Sequence, residues 1–199
     1  YGSLMSAASA RRTMPSAEHH RLGVLRDYAR VFSLVSLSNL KRRGAESAAA
    51  ALASRELAAV ALRPHPGART VGALFDVDAN EISAYKIRER RYAFTTVQVD
   101  AFDASAGAGA GRTRVVNALV CVESTDAAYR AKGTAAEDYA GCTYAGELWG
   151  RSDVLPVPSY VELCVAAARE LGGDAERSLL DDTLLADGHT TLRVHLAGG

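Results

Sequence analysis

Polar and apolar residues alternate along residues 92–99 (YAFTTVQV), a period of two that predicts a strand with one buried face. β-Branched residues dominate 114–123, and 21–36 reads as a strand or a bulged strand. Residues 57–63 and 70–77 also alternate. They flank Pro64-His65-Pro66-Gly67, a strong turn signal, so the two arms predict a β-hairpin. The period changes over 159–171, where Val161, Cys164, Val165 and Ala168 fall on one helical face. Ser159 is placed to cap that helix and Gly172-Gly173 to end it. Asp78 and Glu81 have the spacing of a capping box ahead of a helix over 78–86, whose buried side would be Ile82, Tyr85 and Ile87. Residues 45–53 are almost all alanine and predict a short helix by propensity.

The rest is less regular. Residues 6–12 predict a short helix broken by Pro15 and Ser16, and 38–44 (SNLKRRG) a polar, basic loop. Residues 103–112 are a low-complexity Gly/Ala loop, and 124–144 and 146–158 read as irregular connections. Residues 179–185 predict a short helix or turn, and 190–196 a last strand. Helices and strands thus intermingle in an α+β pattern, and 199 residues fit one domain spanning 1–199.

Composition changes this picture mainly by exclusion. The formal net charge is zero, which removes the electrostatic footprint of a nucleic-acid or anionic-membrane partner. No apolar run is long enough to span a bilayer. The three cysteines, Cys121, Cys142 and Cys164, are odd in number and lack metal-ligand spacing. They read as small buried hydrophobes in a protein of a reducing compartment, which predicts the cytoplasm. His19 and His20 are adjacent, so a strand would send them to opposite faces; they read as surface residues, not as a metal pair. The string Gly107-Ala108-Gly109-Ala110-Gly111 lacks a following helix and fails the context for dinucleotide binding.

Two stretches carry candidate chemistry. Tyr1-Gly2-Ser3-Leu4 has the character of a strand end turning into a helix, where backbone N–H groups can hold an anion or oxyanion. Arg88-Glu89-Arg90-Arg91 sets one carboxylate among three guanidinium groups, just where a helix gives way to a strand. Glu89 is therefore either a general base on a rigid edge or one charge on a solvated face. Tyr92 can bond a ligand or pack on its strand, and Arg30 reads as an exposed strand arginine in preference to a substrate anchor.

Tyr1-Gly2-Ser3-Leu4, then 25–32 (LRDYARVF), VGALFDVD, and Arg88-Glu89 followed by Tyr92 together resemble the γ-glutamylcyclotransferase superfamily, which includes the ChaC-type enzymes acting on glutathione. The order and approximate spacing match over residues 1–99. The resemblance implies a small mixed β-barrel flanked by helices, with the active site at its mouth. It also implies a fragment, the first strand that would precede Tyr1 being absent. By the same resemblance Glu89 is the catalytic residue, and Tyr1, Gly2, Ser3, Leu4 and Tyr92 bind a small γ-glutamyl substrate. The implied reaction uses no cofactor or metal: the α-amine of a γ-glutamyl group attacks its own γ-carbonyl, giving 5-oxoproline and a free amine. The alternative is a noncatalytic ligand-binding or interaction module on the same barrel.

Overall fold

The computed structural model describes residues 1–43, 45–102 and 113–198, so the predicted loop over 103–112 lies outside the described residues. After a 3₁₀ turn at Ser3–Met5, the chain forms α1 (Ala7–Arg11) and enters β1 (Glu18–Val35). Next come α2 (Leu37–Arg42), α3 (Ala45–Ser54) and β2 (Glu56–Asp76). A 3₁₀ turn at Ala79–Glu81 leads into α4 (Ile82–Arg88), followed by β3 (Ala93–Phe102) and β4 (Thr113–Val122). The short helices α5 (Asp126–Arg130) and α6 (Ala135–Tyr139) precede β5 (Leu155–Pro156). The chain then forms α7 (Pro158–Leu171), α8 (Gly173–Asp181), β6 (Thr183–Leu185) and α9 (Leu192–Ala197).

The strands form one mixed, six-stranded sheet in the order β4-β3-β1-β2-β5, with β6 also paired to β1. β1 is its spine. Its whole length pairs antiparallel with β2, while its other edge is shared: Gly23–Leu25 face β3 and Arg30–Phe32 face β6. The changeover coincides with a bulge between Arg26 and Tyr28, where Asp27 adopts a left-handed φ of 60°. The sheet curls until the Glu123 N–H, just past β4, donates to the Leu62 carbonyl of β2 at 2.9 Å. Among the described residues no ladder joins those two strands, so the α+β fold has a curled but unclosed sheet where the resemblance implied a barrel.

Leu25, Leu62, Val97 and Val99 form a small apolar cluster of β1, β2 and β3. A larger core joins Phe32, Val35, Leu57 and Val60 of the sheet to Leu148, Trp149, Cys164 and Leu179. The described helices include none long and apolar enough to cross a membrane.

Several local expectations are corrected. The predicted hairpin is one continuous strand: both arms of β2 pair with β1, and Pro64-His65-Pro66-Gly67 swells out between the pairs Tyr28–Pro64 and Arg26–Arg69. Asp27 anchors the swelling by accepting from the Gly67 N–H at 2.8 Å. The basic loop contains α2, because Leu37 and Leu40, three residues apart, are both buried. Glu81 makes no capping box; its carboxylate accepts instead from the N–H of Ser16 at 3.2 Å and from its hydroxyl at 2.6 Å, 65 residues earlier in the chain. Ile87 is exposed, α7 starts at Pro158 with Val157 as its cap residue, and the expected last strand is α9, capped by Thr191.

Candidate active site

Glu89 terminates α4 and is fixed by its backbone on both sides. Its N–H donates to the Tyr85 carbonyl at 3.0 Å, and its own carbonyl accepts from the Tyr92 N–H at 2.9 Å. Its side chain retains 18% exposure and faces a cleft of about 880 Å³. Arg88 lies along it, with Nε donating to Glu89 Oε1 at 2.9 Å. Arg88 is itself held by Thr13 Oγ1 at 2.7 Å and the Ser9 carbonyl at 3.3 Å.

The other two arginines of the run point elsewhere. Arg90 donates through Nε and Nη2 to the buried Asp138 carboxylate, at 3.0 and 2.8 Å. Arg91 donates to the same carboxylate at 2.6 Å and to Ser38 Oγ at 3.2 Å. Tyr129 completes this cluster, its hydroxyl donating to Asp138 at 2.7 Å. Burial alone would push Asp138 up, but the hydrogen bonds from Arg90 and Tyr129 and the charge of Arg91 hold it at about 2. For Glu89 the balance runs the other way: burial pushes its carboxyl above the ordinary glutamate value, against the opposing pull of Arg88 and Arg91.

Tyr1, Gly2, Ser3 and Leu4 line the same cleft. A Cβ on Gly2 would lie 2.6 Å from Tyr160 Oη and 2.9 Å from Val60 Cγ1, so only glycine fits there without displacing its neighbours. The 3₁₀ turn closes with the Met5 N–H on the Gly2 carbonyl at 2.9 Å, and the N–H groups of Ser3 and Leu4 donate to no protein group among the described residues. Tyr92 also lines the cleft but is nearly buried; its hydroxyl donates to the Val60 carbonyl at 2.8 Å and its ring packs edge-on against Trp149. Its phenol is committed to the fold.

Arg30 overturns its reading as an exposed strand residue: it is 1% exposed. Nη1 donates to Thr183 Oγ1 at 3.1 Å and Nη2 to the Val71 carbonyl at 2.5 Å, and Nε has no partner among the described residues. Burial pulls its guanidinium down to about 10. His20 is likewise only half exposed, stacked on Phe75 with its Nε2 buried. Cys121 and Cys164 are buried, and burial pushes their thiols up to about 12 and about 11, which leaves neither as a thiolate at neutral pH. No group of three or more His, Cys, Asp or Glu among the described residues has the arrangement to hold a metal ion. Sequence reasoning missed Tyr160, Asp138 and the α2 wall of the cleft. Of these only the polar, basic run SNLKRRG carried a visible signal.

No family model and no curated protein matches the chain. Among solved structures, one described as a gamma-glutamyl cyclotransferase is 13% identical with a TM-score of 0.49, over 85% of this chain and 76% of its own. A yeast structure described as a gamma glutamyl cyclotransferase specific to glutathione is 13% identical with a TM-score of 0.48, over 85% of each chain. An uncharacterized human protein is similar at 13% identity and a TM-score of 0.48, over 86% of this chain and 77% of its own.

Proposed function

We propose that the cleft cyclises a γ-glutamyl group to 5-oxoproline and releases the attached amine, the substrate being glutathione or another γ-glutamyl peptide or amine. The observation that carries this reading is that Glu89 and the Tyr1–Leu4 turn line one cleft. The nucleophile and the electrophile belong to one molecule, so the protein's task is to fold the glutamyl arm into attack geometry. The free α-amine closes on the γ-carbonyl carbon, and the Glu89 carboxylate takes the proton that the nitrogen sheds. The N–H groups of Ser3 and Leu4 stabilise the oxyanion. Glu89 then gives its proton to the departing nitrogen as the original C–N bond breaks. A carboxyl raised above its usual range suits a group that must both accept and return a proton.

The test is 5-oxoproline release from glutathione and from γ-glutamyl-alanine by the chain and by Glu89→Gln. Release by the parent and a loss of about a hundredfold or more in the variant are expected, the usual scale for an acid–base group. Release that survives the substitution removes Glu89 from the mechanism. A folded parent that binds either compound without releasing product is a binding module.

A further inference from the structure

Successive side chains on a helix do not face each other, so Arg88 and Glu89 would not ordinarily meet. They meet because α4 ends between them, Glu89 having left the helical region with φ −99° and ψ 23°. Arg88 Nε donates to Glu89 Oε1 at 2.9 Å, and Oε2 accepts from no protein group among the described residues. The two oxygens of one carboxylate are thus unequal.

The far side of the same guanidinium reaches α1. Nη1 donates to Thr13 Oγ1 at 2.7 Å and to the Ser9 carbonyl at 3.3 Å. α1 tightens at its end, the Thr13 N–H turning to the Ala10 carbonyl at 3.1 Å, which leaves the Ser9 carbonyl to Arg88. α1 itself continues from the 3₁₀ turn of Ser3–Met5, and its Ala10 N–H donates back to the Ser6 carbonyl at 3.0 Å. The start of the α4 segment is tied to the same stretch through Ser16 and Glu81. Arg88 therefore spans the two halves of the cleft. On one side it holds the carboxylate, on the other the element that carries the Ser3 and Leu4 N–H groups.

We propose that Arg88, anchored by Thr13, is a positioning residue for the proton transfers of the cleft. It holds Oε1, so that Oε2 takes the proton from the attacking nitrogen and returns it to the departing one. It also keeps that oxygen at a fixed reach from the N–H groups that stabilise the oxyanion. The inference rests on the cyclising reading of the cleft. An unrestrained glutamate samples several rotamers, and few of them aim an oxygen at the reacting nitrogen. A guanidinium fixes the aim because its planar fork bonds in two directions at once. An ammonium of the same charge is a point donor and does not.

The experiment measures kcat and KM for 5-oxoproline release from glutathione and from γ-glutamyl-alanine. It compares the parent with Arg88→Lys, Arg88→Met, Thr13→Val, Thr13→Ser and the double variant Thr13→Val/Arg88→Met. With KM little changed, kcat should fall about tenfold or more in both Arg88 variants and about fivefold in Thr13→Val, inside the roughly hundredfold that a misplacement of about 1 Å costs. Thr13→Ser keeps the hydroxyl and should retain the parental kcat. On the Arg88→Met background Thr13→Val should cost nothing further, since it acts through Arg88. Thermal melting reports whether each variant is folded, and the Thr13 pair decides the matter should an Arg88 variant not fold. Full activity in Arg88→Lys would assign the effect to charge alone, and a loss confined to KM would make Arg88 a substrate contact. Either result overturns the positioning role, as does a Thr13→Val that is silent or that adds to Arg88→Met. A folded parent that releases no 5-oxoproline overturns the cyclising reading, and this role with it.

Discussion

Arg30 shows what a strand pattern hides at the level of one residue. Alternation reports exposure only where one face of a strand meets water, but β1 is buried continuously from Ala29 to Val35. An arginine there has no wet face to occupy. It is held by Thr183 of β6 and the Val71 carbonyl of β2, and among the described residues it has no carboxylate partner. Truncation to alanine removes a large buried side chain and both bonds, so Arg30→Ala should lower stability by about 3 kcal/mol. Arg30→Met keeps most of the volume and abolishes the buried charge, so it should cost distinctly less. Urea denaturation of the two variants measures this. Equal losses would mean that the guanidinium bonds, not the packing, are what hold the β1–β6 junction. Glu89 is the opposite case. Its place at the end of a helix was legible from residues 88–92, but the direction of its three arginine neighbours was not, because each is decided by a partner far along the chain.

At the scale of elements, the strongly marked pieces were legible: β3 and α7 lie close to where periodicity put them, β4 where β-branched residues gather, and α3 where alanine propensity put a helix. The misread pieces are those whose conformation is set by a neighbour. The Pro64–Gly67 turn signal is real but becomes a swelling, because β1 runs on and offers partners to both arms. The short α6 looked like part of an irregular connection, yet it supplies Asp138, which draws Arg90 and Arg91 away from Glu89. The carboxyl of Asp138 lies below its ordinary value of 3.8, at about 2. A depressed carboxyl stabilises the fold above the unfolded value and loses that contribution as pH falls through the folded one. About 2 kcal/mol should therefore disappear between roughly pH 4 and pH 2. Asp138→Asn strands two guanidiniums and should cost about 3 kcal/mol near neutrality, with the gap to the parent narrowing in acid. It should also free Arg91 to act on Glu89 and move the acid limb of the activity profile downward. Urea melts and a pH–rate profile read the two effects separately, and an acid limb that does not move would confine Asp138 to a structural role.

The whole molecule depends on how far the sheet curls, which no local pattern encodes. The seam between β4 and β2 is held at one end by Glu123. Its N–H donates to Leu62, and its carboxylate accepts from Ser33 and from Arg63, the latter at 2.7 and 2.9 Å. One residue thus ties β4 to β2 by backbone and to both β1 and β2 by side chain. Beyond that end the described residues of the two strands share no ladder, so the curl relies on side chains where a closed barrel would rely on backbone bonds. The candidate site inherits this dependence, because Leu119, Val120 and Cys121 of β4 line the cleft that holds Glu89. Glu123→Ala should loosen the seam and unpair Arg63 and Ser33. Amide hydrogen exchange at position 123 and along the adjoining end of β4 should then accelerate by about tenfold or more, while α7 stays protected. If the cleft needs the curl, the KM for a γ-glutamyl peptide should rise with it and kcat change less, since Glu89 and the Tyr1–Leu4 turn belong to other elements. Unchanged exchange in β4 would mean that the apolar cluster of Leu25, Leu62, Val97 and Val99 sets the curl without help from the carboxylate.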